Sequence, residues 1–305
     1  MTEAPRIAVV GGGISGIAAA LRLAEKAPAA RLTLLESAPR LGGVLDSAHQ
    51  DGCLVERSAD MFTTKAPWAL ELCRETGYED QLIQANPEHR RAFLVRKGKL
   101  VPVPEGLALL KPVKLTKMVF SPLLSLRGKL RLLGEYWVPA KRDSADESLA
   151  SFARRRLGKE MYERIVQPLI GGIYTADPEK LSMLATMPQF PKMEQEHGGL
   201  IRAARRDSDV SDQLASGARY DQFVTPRQGF RHLIDHLAAR LPEGAVRTGA
   251  VVRSARREGP TWRLTIDGRP PLQFEALLIA TPAHVTARIL GEQDQQLAGE
   301  LSGIP

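Results

Sequence analysis

Cysteine and aromatic residues are scarce in this chain. Only two of its 305 residues are cysteines, Cys53 and Cys73, and aromatic residues make up 5%. Two cysteines cannot form a disulfide framework, and these two lack the spacing of a metal site. This usage is typical of a reducing compartment, so we expect a cytoplasmic protein without a metal.

Long apolar runs are also missing. The helical pattern at 14–26 is too short and too interrupted to span a membrane, and its glycine-rich start is unlike a secretory signal. We find no internal repeat and no low-complexity tract. Because 43% of the residues are hydrophobic, the chain can build two packed domains around a large core.

A glycine-rich turn between a strand and a helix is the most informative feature present. The β-branched run Ile7–Val10 predicts a buried parallel strand, and it leads into the sequence Gly-Gly-Gly-Ile-Ser-Gly at 11–16 and an alanine-rich helix. In G-x-G-x-x-G, the first glycine permits the turn, the second lets a pyrophosphate approach, and the third lets the helix pack on the strand. The amides at the start of the helix then bind the phosphates.

An acidic residue follows the next predicted strand. Glu36 stands directly after the strand 31–35, where a carboxylate can accept both hydroxyls of an adenosine ribose and repel a 2′-phosphate. Beyond it, Arg40 and the pair Gly42-Gly43 form an extra loop that can approach the phosphates. This arrangement resembles the FAD-binding start of the amine oxidase and phytoene desaturase superfamily, so FAD is the predicted cofactor.

Positive charge is concentrated in one part of the chain, although the net charge is only +7. Between Arg90 and Arg142 there are thirteen lysines and arginines against two acids, Glu105 and Glu135, with apolar runs interleaved. The region can be an ordinary solvated face, or a surface that attracts anionic headgroups or carboxylates. No nucleic-acid-binding motif accompanies the charge, so we expect no nucleic-acid partner.

Strand patterns occur at both ends of the chain and helical patterns in the middle. The first βαβ unit and a short helix from Pro67 precede a hairpin around 97–99, and a largely helical stretch covers 105–220. Strands return at 250–252, 262–266 and 276–280. The expected fold class is α/β, with a Rossmann-like FAD-binding domain in two parts, 1–90 and 223–305, around an inserted, mainly helical substrate domain at 91–222.

The middle of the chain carries the most specific motifs. Ser151-Phe-Ala-Arg-Arg-Arg-Leu-Gly158 is followed by Pro168-Leu-Ile-Gly-Gly-Ile-Tyr174, then by Asp177-Pro-Glu-Lys-Leu-Ser182 and Pro188-Gln-Phe190. These runs resemble the protoporphyrinogen oxidase family over nearly the whole chain. The resemblance implies six-electron oxidation of protoporphyrinogen to protoporphyrin in heme biosynthesis, with oxygen reoxidising the flavin. Alternatives are coproporphyrinogen III as substrate, another amine-oxidase-like flavoprotein such as a polyamine or carotenoid oxidoreductase, or a non-catalytic FAD-binding remnant.

The same resemblance assigns site residues position by position. The expected FAD contacts are Gly11, Gly12, Gly13, Ile14, Ser15, Gly16, Glu36, Ser37, Arg40, Gly42, Gly43, Val44, Ser58, Ala59, Asp60, Met61 and Val251. Because Ala92 stands where some members have a propionate-binding arginine, Arg90 or Arg91 is expected to bind substrate instead. No catalytic acid–base pair is predicted. The sequence leaves open whether the chain forms a homodimer and whether residues 105–142 contact a membrane surface.

Three other features have simpler explanations. His232 and His236 have zinc-like spacing but no third ligand, so a wet helix face is predicted. The arginines at 154–156 point in different directions on a helix and favour ordinary surface, and Asp177-Pro178 favours a helix start.

Family members continue well beyond the stretch that matches Pro305, through a final FAD segment near the flavin ring. From that we expect the C-terminal part of the fold to be missing and the isolated chain to be a poor catalyst.

Overall fold

A computed structural model describes residues 4–64, 66–84, 86, 92–104, 107–112, 114–143, 145–206 and 223–304. The chain divides into two compact units, 1–84 with 222–305 and 85–221. The predicted residues Arg90 and Arg91 lie outside the described residues.

The strands are β1 (Arg6–Val10), β2 (Arg31–Leu35), β3 (Ser47–Gln50), β4 (Cys53–Glu56), β5 (Phe62–Thr63), β6 (Leu82–Gln84), β7 (Phe93–Arg96), β8 (Lys99–Pro102), β9 (Leu107–Ala108), β10 (Lys111–Pro112), β11 (Phe223–Pro226), β12 (Val246–Arg247), β13 (Val252–Glu258), β14 (Thr261–Ile266), β15 (Leu272–Phe274) and β16 (Ala276–Ile279). The α-helices are α1 (Ile14–Lys26), α2 (Pro67–Glu75), α3 (Leu115–Phe120), α4 (Leu126–Leu133), α5 (Leu149–Leu157), α6 (Lys159–Met161), α7 (Gln167–Tyr174), α8 (Met183–Thr186), α9 (Gln189–His197), α10 (Leu200–Arg206), α11 (Phe230–Ala238), α12 (Ala283–Leu290) and α13 (Gln295–Ser302). Short 3₁₀ turns at 79–81 and 134–137 and a π-helical turn at 162–166 complete them.

The first unit is built on a parallel sheet of order β12-β2-β1-β16. Val9 of β1 lies beside Leu34 on one side and Leu278 on the other, and both Val9 and Leu34 are fully buried. β1 is apolar throughout its inner residues because both faces are covered, as in parallel sheets generally. All four strands run in the same direction, so their carboxyl ends meet at the edge where the glycine turn follows β1.

Antiparallel pieces complete this unit. β13, β14 and β15 form a three-stranded sheet whose apolar side packs with Ala8, Val10 and Leu35 of the parallel sheet. The opposite face of the parallel sheet packs against α1 and α11, with Ile17 and Ile234 fully buried there.

Two late strands differ from the sequence prediction. β13 begins at Val252, two residues after the predicted start, since Ala250 donates its amide to Glu36 and is not part of the ladder. β16 pairs with β1 alone among the described strands; its last three residues are half-buried, and Ala276 is exposed. An apolar run does not distinguish a central strand from one at a sheet edge.

The second unit is mainly helical around its own core. Side chains from α3 to α10 and from the hairpin β7–β8 pack together, with Phe152, Leu157 and Ile165 fully buried. Ser148 and Ser182 begin α5 and α8 by accepting the amides of Ser151 and Ala185. These caps satisfy donors that would otherwise lack a partner.

Arg156 corrects the prediction of an ordinary surface at 154–156. Its side chain has no exposed area and forms ion pairs with Glu135 and Glu194 inside the helical unit. The Glu135 carboxylate also accepts the backbone amides of Leu200 (2.8 Å) and Ile201 (3.0 Å), so it holds the start of α10. A buried charge persists only where such partners surround it.

Glu194 is the second acid of this network and is 2% exposed. Arg155 donates to both of its oxygens, at 2.6 and 2.9 Å, and also pairs with Glu147. Burial by itself raises the pKa of Glu194, but the hydrogen bonds from Arg155 and the charges of Arg155 and Arg156 outweigh it and hold that pKa below its ordinary value.

Asp177 does not begin a helix. Residues 178–180 form a turn in which Asp177 accepts the amide of Glu179 at 3.0 Å, and the next helix starts at Met183. An Asp-Pro pair starts turns as readily as helices, so this local pattern did not separate the two.

Candidate functional site

Close packing requires glycine at two positions of the turn after β1, Gly11 and Gly16, but not at Gly13. Gly11 has φ +108°, and a Cβ there would lie 2.6 Å from the Ala280 carbonyl oxygen. A Cβ on Gly16 would lie 1.8 Å from the Gly11 carbonyl oxygen. A Cβ on Gly13 would meet no heavy atom within 4 Å. Gly11 and Gly16 therefore allow the turn and the helix packing, while Gly13 leaves free space on the ligand side.

The N-terminus of α1 faces this space. Its N-cap residue is Gly13, in an extended conformation (φ −69°, ψ 176°), and no side chain caps the helix. The first-turn amides of a helix lack intrahelical partners and carry the positive end of its dipole. An anion in front of Gly13 would supply the missing acceptor.

Glu36 lies at the end of β2 and is 7% exposed. Its Oε2 accepts the Gly12 amide at 2.6 Å, and its Oε1 accepts the Ala38 amide at 2.7 Å and the Ser37 hydroxyl at 3.1 Å. A carboxylate offers about four acceptor positions, so at least one remains, and the Ser37 hydroxyl can turn away to free another. Glu36 thus holds the glycine turn as well as offering oxygens to a ribose, a second role that the sequence did not reveal.

A cavity of about 770 Å³ opens between these elements, within the range of small-molecule sites. The predicted residues that line it are Gly11, Gly13, Ile14, Ser15, Glu36, Ser37, Gly42, Gly43, Val44 and Val251. The cavity lies at the carboxyl ends of β1 and β2, where open α/β sheets bind ligands.

Other predicted contacts lie away from the cavity. Gly12 and Gly16 pack behind the turn, and Ser58 and Asp60 are exposed outside the cavity. Ala59 and Met61 line an adjoining apolar cavity of about 370 Å³, which shares Ile14, Ser15 and Leu45 with the first cavity.

Arg40 braces the loop instead of facing the cavity. Its Nη1 donates to the carbonyls of Leu41 (3.1 Å) and Leu45 (3.2 Å), and its Nη2 donates to the carbonyl of Gly43 (3.1 Å). Asp46 lies 3.6 Å from the same guanidinium. These contacts give Arg40 a structural role in the loop, and the phosphate contact expected of it stays a prediction.

Sequence reasoning missed a group of lining residues after β16. Ala280, Thr281 and Pro282 border the cavity, followed by Arg288 of α12. The Arg288 side chain is exposed and has no ion-pair or hydrogen-bond partner among the described residues. A single arginine on an amphipathic helix gives no sequence signal of its own.

The two histidines of α11 are not a wet helix face. The Nδ1 of His232 lies 2.8 Å from the Tyr78 hydroxyl, and the Nε2 of His236 lies 2.9 Å from the Thr76 carbonyl oxygen. Burial, and then the nearby Cys73, raise the pKa of Tyr78 to about 12. Across the described part of the chain, no group of three potential ligands could hold a metal ion.

Comparison with known proteins relates the chain to a family of flavoproteins. The profile of the flavin-containing amine oxidoreductase family matches residues 14–302. The chain is 32% identical to coproporphyrinogen III oxidase of Bacillus subtilis over 94% of its own length and 62% of that protein. It is 30% identical to the chloroplastic protoporphyrinogen oxidase 1 of Arabidopsis thaliana over 96% of its length and 56% of that protein.

A solved structure agrees with these matches. The crystal structure of an Exiguobacterium protein assigned as a protoporphyrinogen oxidase superposes with a TM-score of 0.83 at 27% identity. The match covers 98% of this chain and 63% of that one, so the chain spans about three fifths of the length of these relatives. The predicted α/β fold class and the resemblance to this family are confirmed.

FAD fits the cavity on features of the structure itself. The space before Gly13 is open, α1 starts there without a side-chain cap, and Glu36 retains acceptor positions for a ribose. Among the described residues, Glu36 is the only acid that lines the cavity, so a pyrophosphate meets little repulsion. The chain belongs to the flavin-containing amine oxidoreductase family, and its cofactor is FAD.

Proposed function

We propose that this chain takes part in the oxidation of a porphyrinogen to a porphyrin, with oxygen as the final acceptor. The observation that carries the proposal is the match of nearly the whole chain to enzymes named for this reaction, joined to a dinucleotide cavity that fits FAD. Protoporphyrinogen IX is the first candidate substrate. Coproporphyrinogen III is the second, because the Bacillus relative is named for it.

The chemistry divides between cofactor and protein. FAD, when bound, supplies the oxidising equivalents by accepting hydride. The glycine turn and the start of α1 bind the diphosphate, and Glu36 orients the adenosine through its ribose. Because Glu36 is itself fixed by the amides of Gly12 and Ala38, it offers its oxygens without reorganisation.

The substrate side rests on charge. A porphyrinogen is a large apolar macrocycle with carboxylates at its edge, so its site needs apolar walls and a few cations. Arg90 and Arg91 remain the proposed carboxylate partners within a stretch that is rich in lysine and arginine.

We also propose that the helical unit binds an anionic membrane surface. Four large apolar side chains between residues 120 and 137 are 70–84% exposed: Phe120, Leu126, Leu130 and Trp137. Leu126 and Leu130 stand one turn apart on α4 beside the exposed Arg127. Exposed apolar side chains next to cations suit the headgroup region of a bilayer.

The proposed membrane contact is at the bilayer surface and needs no membrane-spanning helix. Among the described helices, none has the length and apolar character needed to cross a bilayer. Co-sedimentation with anionic vesicles at low and high salt tests surface binding, and Leu126→Ser with Leu130→Ser should reduce it. Binding that ignores salt, lipid charge and both substitutions would contradict this proposal.

The enzymatic proposal is tested with protein purified from the cells that make it, together with any chain that co-purifies. Bound flavin is measured by absorbance, and porphyrin fluorescence is followed after addition of protoporphyrinogen IX or coproporphyrinogen III. We expect growth of fluorescence with at least one substrate and loss of it in Gly13→Ala. Flavin-loaded protein that oxidises neither substrate would refute the proposed activity.

A further inference from the structure

A second large cavity lies on the first unit, on the face of the parallel sheet that packs with β13–β15. Its volume is about 760 Å³, close to that of the dinucleotide cavity, and it shares none of that cavity's lining residues. Four arginines line it: Arg6, Arg31, Arg247 and Arg263. Within the part of the chain that the structure describes, no aspartate or glutamate lines it.

Two of the four guanidiniums already have acidic partners outside the lining. Arg6 pairs with Glu275 at 2.8 Å, and Arg263 lies 3.4 Å from Glu258. Hydrogen bonds from the Arg6 side chain and backbone lower the pKa of Glu275 to about 2, so this acid stays ionised at neutral pH. The two acids neutralise Arg6 and Arg263, so the net positive charge of the cavity comes from Arg31 and Arg247.

Arg31 and Arg247 have no hydrogen-bond or ion-pair partner for their side chains among the described residues. Arg31 begins β2, and Arg247 on β12 lies beside Leu35 at the other end of β2. Positions 31 and 35 are four residues apart along the strand, so their backbones are about 13 Å apart at the usual rise. Two arginines on backbones this far apart suit an extended ligand with several charges better than a single small anion.

We propose that this cavity, termed here the arginine crevice, binds a small polyanion with two or more phosphate or carboxylate groups. Arg31 and Arg247 bind its charged ends through their planar forks, which match both kinds of group. Thr33 and Gln273 also line the crevice, and both residue types can add neutral hydrogen bonds to such a ligand. The absence of lining carboxylates keeps the local potential positive and attracts such a ligand.

The test is calorimetric titration of the full chain with tripolyphosphate and, separately, citrate at matched ionic strength. The protein is first saturated with FAD and then freed of unbound FAD by gel filtration, so that the dinucleotide cavity is filled and no free diphosphate competes with the probes. Replacing both arginines (Arg31→Gln with Arg247→Gln) should weaken binding about tenfold or more, since each loses a charge-assisted hydrogen bond. The matched control replaces two exposed arginines of the helical unit, Arg142→Gln with Arg206→Gln, and should leave the affinity within twofold.

The outcomes are decisive in either direction. Tighter binding of tripolyphosphate assigns the crevice to phosphates, and tighter binding of citrate assigns it to carboxylates. The proposal is overturned if wild type binds neither probe, if the crevice variant binds as tightly as wild type, or if the control weakens binding equally. Unchanged melting temperatures of both variants verify that the substitutions leave the fold intact.

Discussion

Gly13→Ala separates cofactor binding from folding at the glycine turn. Gly13 has backbone angles that alanine adopts without strain, and the added methyl meets no protein atom within 4 Å. Replacing glycine at such a position restricts the unfolded chain and stabilises a protein by about 0.4–1 kcal/mol. The melting temperature of the variant should therefore stay unchanged or rise slightly.

Cofactor affinity should respond in the opposite direction. The methyl group occupies the space where the pyrophosphate approaches the backbone, so the diphosphate must withdraw from at least one amide. A hydrogen bond to a charged group contributes about 1.5–3 kcal/mol, which corresponds to a loss of roughly 10- to 150-fold in affinity. Titration of FAD, followed by flavin fluorescence, and flavin retained after gel filtration measure this loss.

Two further glycines serve as controls for Gly13→Ala. Gly16→Ala places its methyl carbon 1.8 Å from the Gly11 carbonyl oxygen and should unfold the first unit. Gly299→Ala in α13 meets no atom within 4 Å and should raise stability without affecting FAD. Wild-type FAD affinity in Gly13→Ala would refute the position assigned to the pyrophosphate, and a large loss of stability would refute the open space before Gly13.

Three further changes have defined outcomes. Glu36→Ala should both weaken FAD binding and lower the melting temperature, because the carboxylate also holds the glycine turn. Glu36→Gln should lose less stability. An effect of Glu36→Ala on FAD binding alone would contradict this double role. Glu194→Gln should lower the free energy of unfolding by about 3–5 kcal/mol at pH 7, because it leaves Arg155 and the buried Arg156 without this acidic partner. Folding lowers the pKa of Glu194. The stability that this carboxylate contributes is therefore present above its unfolded pKa near 4.3 and is lost as the pH falls through its folded pKa. Thermal melts of the variant and the wild type should converge at acid pH. Cys73 is buried, and that burial raises its pKa to about 11. A thiol reagent at pH 8 should therefore modify only the exposed Cys53 in the native protein, and both cysteines after denaturation.

Local sequence determined the dinucleotide-binding end of this protein. β1, the glycine turn, α1 and β2 with Glu36 all follow from short-range patterns, namely a β-branched run, three spaced glycines and an acid at a strand end. Such patterns are readable because each residue's role depends on backbone conformation within a few positions.

Only the tertiary structure decided the roles of the arginines. Arg40 was predicted to reach phosphates and is found to brace three carbonyls, whereas Arg156 was predicted on the surface but is fully buried against Glu135 and Glu194. Arg31 and Arg247 are 216 positions apart in sequence and line one crevice because β2 and β12 are neighbours in the sheet. An arginine side chain is long and has several donors, so its partner is set by whichever carbonyl or carboxylate distant segments bring within reach.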